Sequence, residues 1–157
     1  MRSVAAARRL IGSVAFLSAL GWATQAHAQL GVGTWVRTDA QGKGMTMTVA
    51  PCCNGGFRLT YQMPAASGQP AMQLVVDSPM DGTEVPALFG GKPSGETMAI
   101  TRVDDHHYRA VMKMGGQPFG TSTGTLSADA KTLTVETVNP TRPGAPAEKI
   151  SETWIKK

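Results

Sequence analysis

The feature that most limits the fold of this chain is a two-residue rhythm of apolar side chains. Met45, Met47 and Val49 alternate with Thr46, Thr48 and Ala50. Phe57, Leu59, Tyr61 and Met63 alternate with Arg58, Thr60 and Gln62. The pattern returns at Met72, Leu74 and Val76, at Met98 and Ile100, at Tyr108, Ala110, Met112 and Met114, and at Leu133 and Val135. Successive side chains of an extended chain point to opposite faces, so each run describes a strand with one buried side. Ile150 and Trp154 give a weaker version near the C-terminus, where Glu152 shares their parity.

Turn-forming residues separate these runs. Gly42-Lys43-Gly44, Asn54-Gly55-Gly56, Asp81-Gly82, Gly90-Gly91, Asp104-Asp105, Gly115-Gly116 and Asp129-Ala130 all fall between strand candidates. Asn54-Gly55 between two alternating runs is the strongest hairpin signal. After the first 28 residues no segment carries a long amphipathic helical stripe. The reading is an all-β domain, a single antiparallel meander of about eight to ten strands. Closing it into a barrel removes the sheet edges that would otherwise invite aggregation. Asn139 to Pro146, with three prolines, reads as a long loop before the last strand.

The first 28 residues belong to a different category. Arg2, Arg8 and Arg9 precede an apolar run from Leu10 to Ala23, and Ala26-His27-Ala28 places small residues at a cleavage position. This is the build of a secretory signal peptide cut between Ala28 and Gln29, which predicts a periplasmic or secreted protein and a domain spanning 29–157. The leader holds three of the chain's 15 basic residues, leaving 12 against 11 acidic ones, a net of +1. No basic stripe remains to track a phosphate backbone, so nucleic acid is not an expected partner. No apolar run in the mature part is long enough for a membrane-spanning helix.

Gly33-Thr34-Trp35 resembles the Gly-x-Trp opening of lipocalins and related calycin barrels. Further along, Asp81-Gly82-Thr83-Glu84-Val85-Pro86, Arg102-Val103-Asp104-Asp105 and Ser127-Ala128-Asp129-Ala130-Lys131-Thr132-Leu133-Thr134 resemble a group of small secreted bacterial calycin-like proteins. In that group the last motif carries glycine where this chain has Ala130. The similarity runs from about Gly31 to Lys157. It implies a barrel that holds a small apolar ligand inside, with Trp35 plugging one end; Trp154, near the other terminus, is expected to pack beside Trp35.

Two groups of residues carry candidate chemistry. Eight of the nine methionines follow the leader, and seven of them fall on strand faces assigned inward. With their neighbours they give a ligand-lining set of Met45, Met47, Leu59, Tyr61, Met72, Leu74, Met98, Tyr108, Met112 and Met114. A methionine-rich lining is adaptable apolar filler, and thioethers also suit Cu(I). Cys52 and Cys53 are adjacent, closer than the usual disulfide spacing. They read as a vicinal disulfide stiffening a hairpin tip, as a soft-metal or redox site, or as a link to another chain. His106 and His107, side by side, point to opposite faces of a strand and read as turn or surface residues. No nucleophile elbow, P-loop, HExxH or spaced cysteine motif is present, so no enzyme activity and no cofactor are expected. The expectation is an exported, non-enzymatic protein holding a small hydrophobic ligand in a Met-rich barrel. The alternatives are a copper or redox protein built on Cys52 and Cys53, and an envelope structural or interaction protein.

Overall fold

In the computed structural model of this chain, residues 30–65, 68–139 and 147–157 are described; the signal-peptide reading and most of the proline-rich loop lie outside them. Ten antiparallel strands follow one another round a closed barrel: β1 (Gly33–Arg37), β2 (Thr46–Cys52), β3 (Gly56–Met63), β4 (Met72–Ser78), β5 (Asp81–Phe89), β6 (Lys92–Arg102), β7 (His107–Met114), β8 (Gln117–Leu126), β9 (Thr132–Asn139) and β10 (Glu148–Lys156). Each strand pairs with its sequence neighbours, and β1 closes the sheet onto β10 through Trp35↔Lys156, Val36↔Ile155 and Arg37↔Trp154. The expected meander barrel is therefore observed, at ten strands. No described helix is long and apolar enough to cross a membrane.

Period-two alternation places the core. Met47, Val49, Leu59, Val76, Ala87, Met98, Ile100, Tyr108, Leu126, Leu133 and Trp154 are buried in one cluster, with Leu74, Val135 and Met112 packed against it. Three strands have no counterpart among the alternating runs of the sequence: β1, β5 and β8. In β5 the alternation is broken by register shifts between Asp81 and Glu84 and between Pro86 and Leu88. Pro86 and Pro118 sit beside such irregularities, where a missing N–H costs the ladder least. In β8 the inward residues Gly120, Ser122, Gly124 and Leu126 are buried, but three of the four are small or polar, so the hydrophobic signal is absent.

The turns β2–β3, β4–β5, β6–β7 and β8–β9 gather at one end of the barrel with both ends of the described chain, as the meander requires. This end is closed. Trp35 has 0 % of its surface exposed, and its indole N–H donates to the Gly31 carbonyl at 3.1 Å. Leu30 is buried, and its backbone N–H donates to the Tyr108 hydroxyl at 2.7 Å. Gly56 lets β3 start against the β4–β5 turn, since a Cβ there would meet the Ser78 carbonyl oxygen at 2.0 Å. The β8–β9 turn keeps a left-handed residue although alanine stands there: Ala130 has φ of 55°. Asp129 and Ser127 tie that turn through side-chain hydrogen bonds to Lys131 and Thr132. These bonds offset a left-handed penalty of about 1–2 kcal/mol for a non-glycine residue.

A Trp35→Ala variant is expected to lose about 3–5 kcal/mol of stability in chemical denaturation, because the vacated volume cannot collapse inside a closed sheet. A loss below about 1 kcal/mol would place Trp35 outside the core.

Candidate functional site

The barrel is hollow. A cavity of about 250 Å³ lies inside it, walled by Met45, Met47, Leu59, Tyr61, Met63, Leu74, Met80, Met98, Ile100, Tyr108, Ala110, Met112, Leu133, Val135 and Trp154. Small side chains create the space. Ala110 on β7 and Ser122 on β8 face the cavity, and Gly120 is so tight beneath Met112 that a Cβ would lie 2.7 Å from the Met112 methyl. Six methionines contribute to the wall, so its shape adapts through unbranched, freely rotating side chains.

Eight of the ten lining residues read from the sequence meet here: Met45, Met47, Leu59, Tyr61, Leu74, Met98, Tyr108 and Met112. Met72 and Met114 do not. Met72 opens β4 and Met114 closes β7; both are exposed, at 43 % and 49 %. Their parity is inward, but they stand at the strand ends, beyond the point where the sheet encloses a side chain. Met63 and Met80 belong to the wall instead. Met63 was visible in the alternation of β3. Met80 carries no periodic signal, because it occupies the β4–β5 turn with a left-handed φ of 64° and its N–H on Ser78 Oγ at 3.1 Å.

A polar cluster at one side of the cavity was not legible as a site in the sequence. Arg37 is buried on the inner face of β1. Its Nε and Nη2 donate to the Asp39 carboxylate at 2.6 and 3.0 Å, and its Nη1 pairs with Glu152 Oε1 at 2.9 Å. Glu152 lines the cavity from β10, and its second oxygen accepts the Trp154 indole N–H at 3.0 Å. Tyr61 packs edge-on against Trp154, with ring centroids 5.8 Å apart. Burial, with the neighbouring Glu152 charge adding to it, raises the Tyr61 phenol and keeps it protonated. On the wall nearby, the Ser122 and Thr137 hydroxyls pair at 2.8 Å.

Local sequence positions this cluster. Asp39 caps the short 3-10 turn Ala40–Gly42 by accepting from the Gln41 and Gly42 N–H groups. Gly42 leaves room for the guanidinium stem, since a Cβ there would sit 1.8 Å from Arg37 Cδ. The hydrogen bonds from Arg37 hold the Asp39 carboxyl well below its ordinary range, to about 2, while burial opposes them.

The cysteines lie at the closed end, away from this cluster. Cys52 and Cys53 form a disulfide at the β2–β3 tip, where Cys53 and Asn54 both have left-handed φ. The two sulfurs and a carboxylate oxygen of Asp77 lie within 4.8 Å of one another. Here the sulfurs are bonded to each other and Asp77 is held by Arg58 at 2.6 and 2.7 Å, so this donor set offers a metal no free thiolate. His106 and His107 diverge: the His106 ring contacts the Leu126 carbonyl, and His107 pairs with Asp104 on the surface.

The fold and cavity define this chain as a closed, hollow antiparallel barrel. No family model, no curated protein and no solved structure matches it.

Because the Asp39 carboxyl is depressed, the Arg37–Asp39 contribution is fully present above pH 3.8 and is lost as pH falls through about 2. Acid unfolding followed by tryptophan fluorescence should show stability declining across that window, and Asp39→Asn should flatten that part of the profile. The remaining slope belongs to carboxylates held down elsewhere, such as Asp77 beside Arg58. Identical acid profiles for the two proteins would show that the pair contributes nothing.

Proposed function

We propose that this protein is an exported, non-enzymatic binding protein of calycin type that holds a small apolar ligand inside its barrel. The observation that carries this reading is the cavity of about 250 Å³ with methionines supplying much of its wall. Large-to-small packing ordinarily leaves few voids in a core, and an empty apolar space forfeits dispersion contacts. An apolar engineered cavity of roughly 150 Å³ accepts benzene. The larger space here suits one aromatic ring with a short chain, or a branched aliphatic of similar bulk. The position of Trp35 at the closed end supports the calycin resemblance, as does the meander topology. Export is supported by the leader-like residues 1–28.

Titration with 2-naphthol, followed by its fluorescence, tests the reading on the mature protein, and native mass spectrometry of exported material tests for a retained guest. Binding in the micromolar range is expected. Ala110→Phe, which projects a ring into the cavity, is expected to weaken binding by at least about tenfold while preserving the β-sheet circular dichroism, at a packing cost of roughly 1–3 kcal/mol. Absence of uptake at millimolar 2-naphthol, together with a consistently unliganded mass, would overturn the reading.

A further inference from the structure

Glu152 is the one carboxylate on a cavity wall whose other polar members are the Ser122 and Thr137 hydroxyls, the two tyrosines and the edge of Arg109; behind it stand Arg37 and Asp39, and the charges of the three do not cancel. One guanidinium serves two carboxylates, which leaves a net of −1. The guanidinium is also committed: Nε and Nη2 go to Asp39, and Nη1 goes to Glu152 and lies 3.7 Å from the Met45 sulfur. An anionic guest would therefore find no free cation at this spot and would face Glu152. Arg109 borders the cavity between Tyr108 and Ala110, but it is exposed, and strand alternation directs its side chain outward.

Glu152 retains acceptor capacity. Each of its oxygens receives one protein donor, from Arg37 and from Trp154, and a carboxylate offers about four lone-pair sites. Tyr61 lines the same cavity, its ring edge-on to the Trp154 indole that donates to Glu152, and its phenol is neutral and able to donate or accept.

Resting on the ligand-binding reading, we propose that the cavity selects a small apolar amine, its ammonium group held by Glu152 and the Tyr61 hydroxyl and its ring or chain among the methionines. A charged donor to a carboxylate in a partly dry site forms a hydrogen bond roughly twice as strong as a neutral one. A carboxylate on the same body would suffer like-charge repulsion instead.

Isothermal titration of the mature protein with 3-phenylpropylamine, 3-phenylpropanol and 3-phenylpropanoate at neutral pH tests this on one hydrocarbon body. The amine is expected to bind at least about tenfold more tightly than the propanoate, with the alcohol between them. Glu152→Gln is expected to remove the advantage of the amine over the alcohol while the alcohol still binds. Tyr61→Phe, which leaves the Arg37 ion pairs intact, is expected to weaken the amine several-fold and serves if Glu152→Gln does not fold. Equal or tighter binding of the propanoate would overturn the inference and leave the binding reading standing, as would uptake of 2-naphthol with no uptake of the amine. Failure of 2-naphthol and of all three compounds would overturn both.

Discussion

The pairing of β1 with β10 is the interaction on which the rest of the structure depends. Without Trp35↔Lys156, Val36↔Ile155 and Arg37↔Trp154 the sheet has two free edges and no interior. Closure also sets what the interior contains. It brings Arg37 from the start of the domain against Trp154 and Glu152 from its end. The polar cluster is thus a product of topology, joining residues more than a hundred positions apart. The same closure buries Trp35, and the hydrogen bonds from its indole and from the Leu30 N–H seal the end where both ends of the described chain lie.

A closed ten-stranded sheet does not by itself leave a void, because large inward side chains could fill it. The void follows from small residues on two adjacent strands. Ser122 on β8 and Ala110 on β7 thin one side of the lining, while Gly120 makes room for Met112, one of the flexible methionines of the wall. The unused space costs dispersion energy that a filled core would gain. The polar cluster is compatible with burial only because every charge in it is shared: Arg37 with two carboxylates, and Glu152 with Arg37 and Trp154.

Alternating strands were readable because half-burial writes itself into the sequence at a period of two. Met47, Leu59, Leu74, Ile100, Met112 and Leu133 are all in or against the core for that reason. β8 was not readable, since its inner face, Leu126 apart, is glycine and serine, which carry no hydrophobic signal. β5 was hidden by its register shifts. Met72 and Met114 show the complementary limit: parity fixes a face but not whether the wall extends far enough to enclose it. Arg37 and Glu152 escaped because nothing local marks them; only the β1–β10 register makes them neighbours. The vicinal disulfide was one of the alternatives open from adjacency, and the left-handed backbone at Cys53 and Asn54 shapes the tip that holds it.

Everything proposed for this barrel rests on its interior being an apolar hollow. A crystal of the 29–157 segment under xenon pressure is the sharpest test, because xenon enters dry apolar cavities and scatters strongly. Ordered xenon is expected between Met47, Leu59, Met98, Met112 and Leu133, with Arg37 still joined to Asp39 and Glu152. An interior without xenon, in which methionine side chains fold inward and close the space, would contradict it.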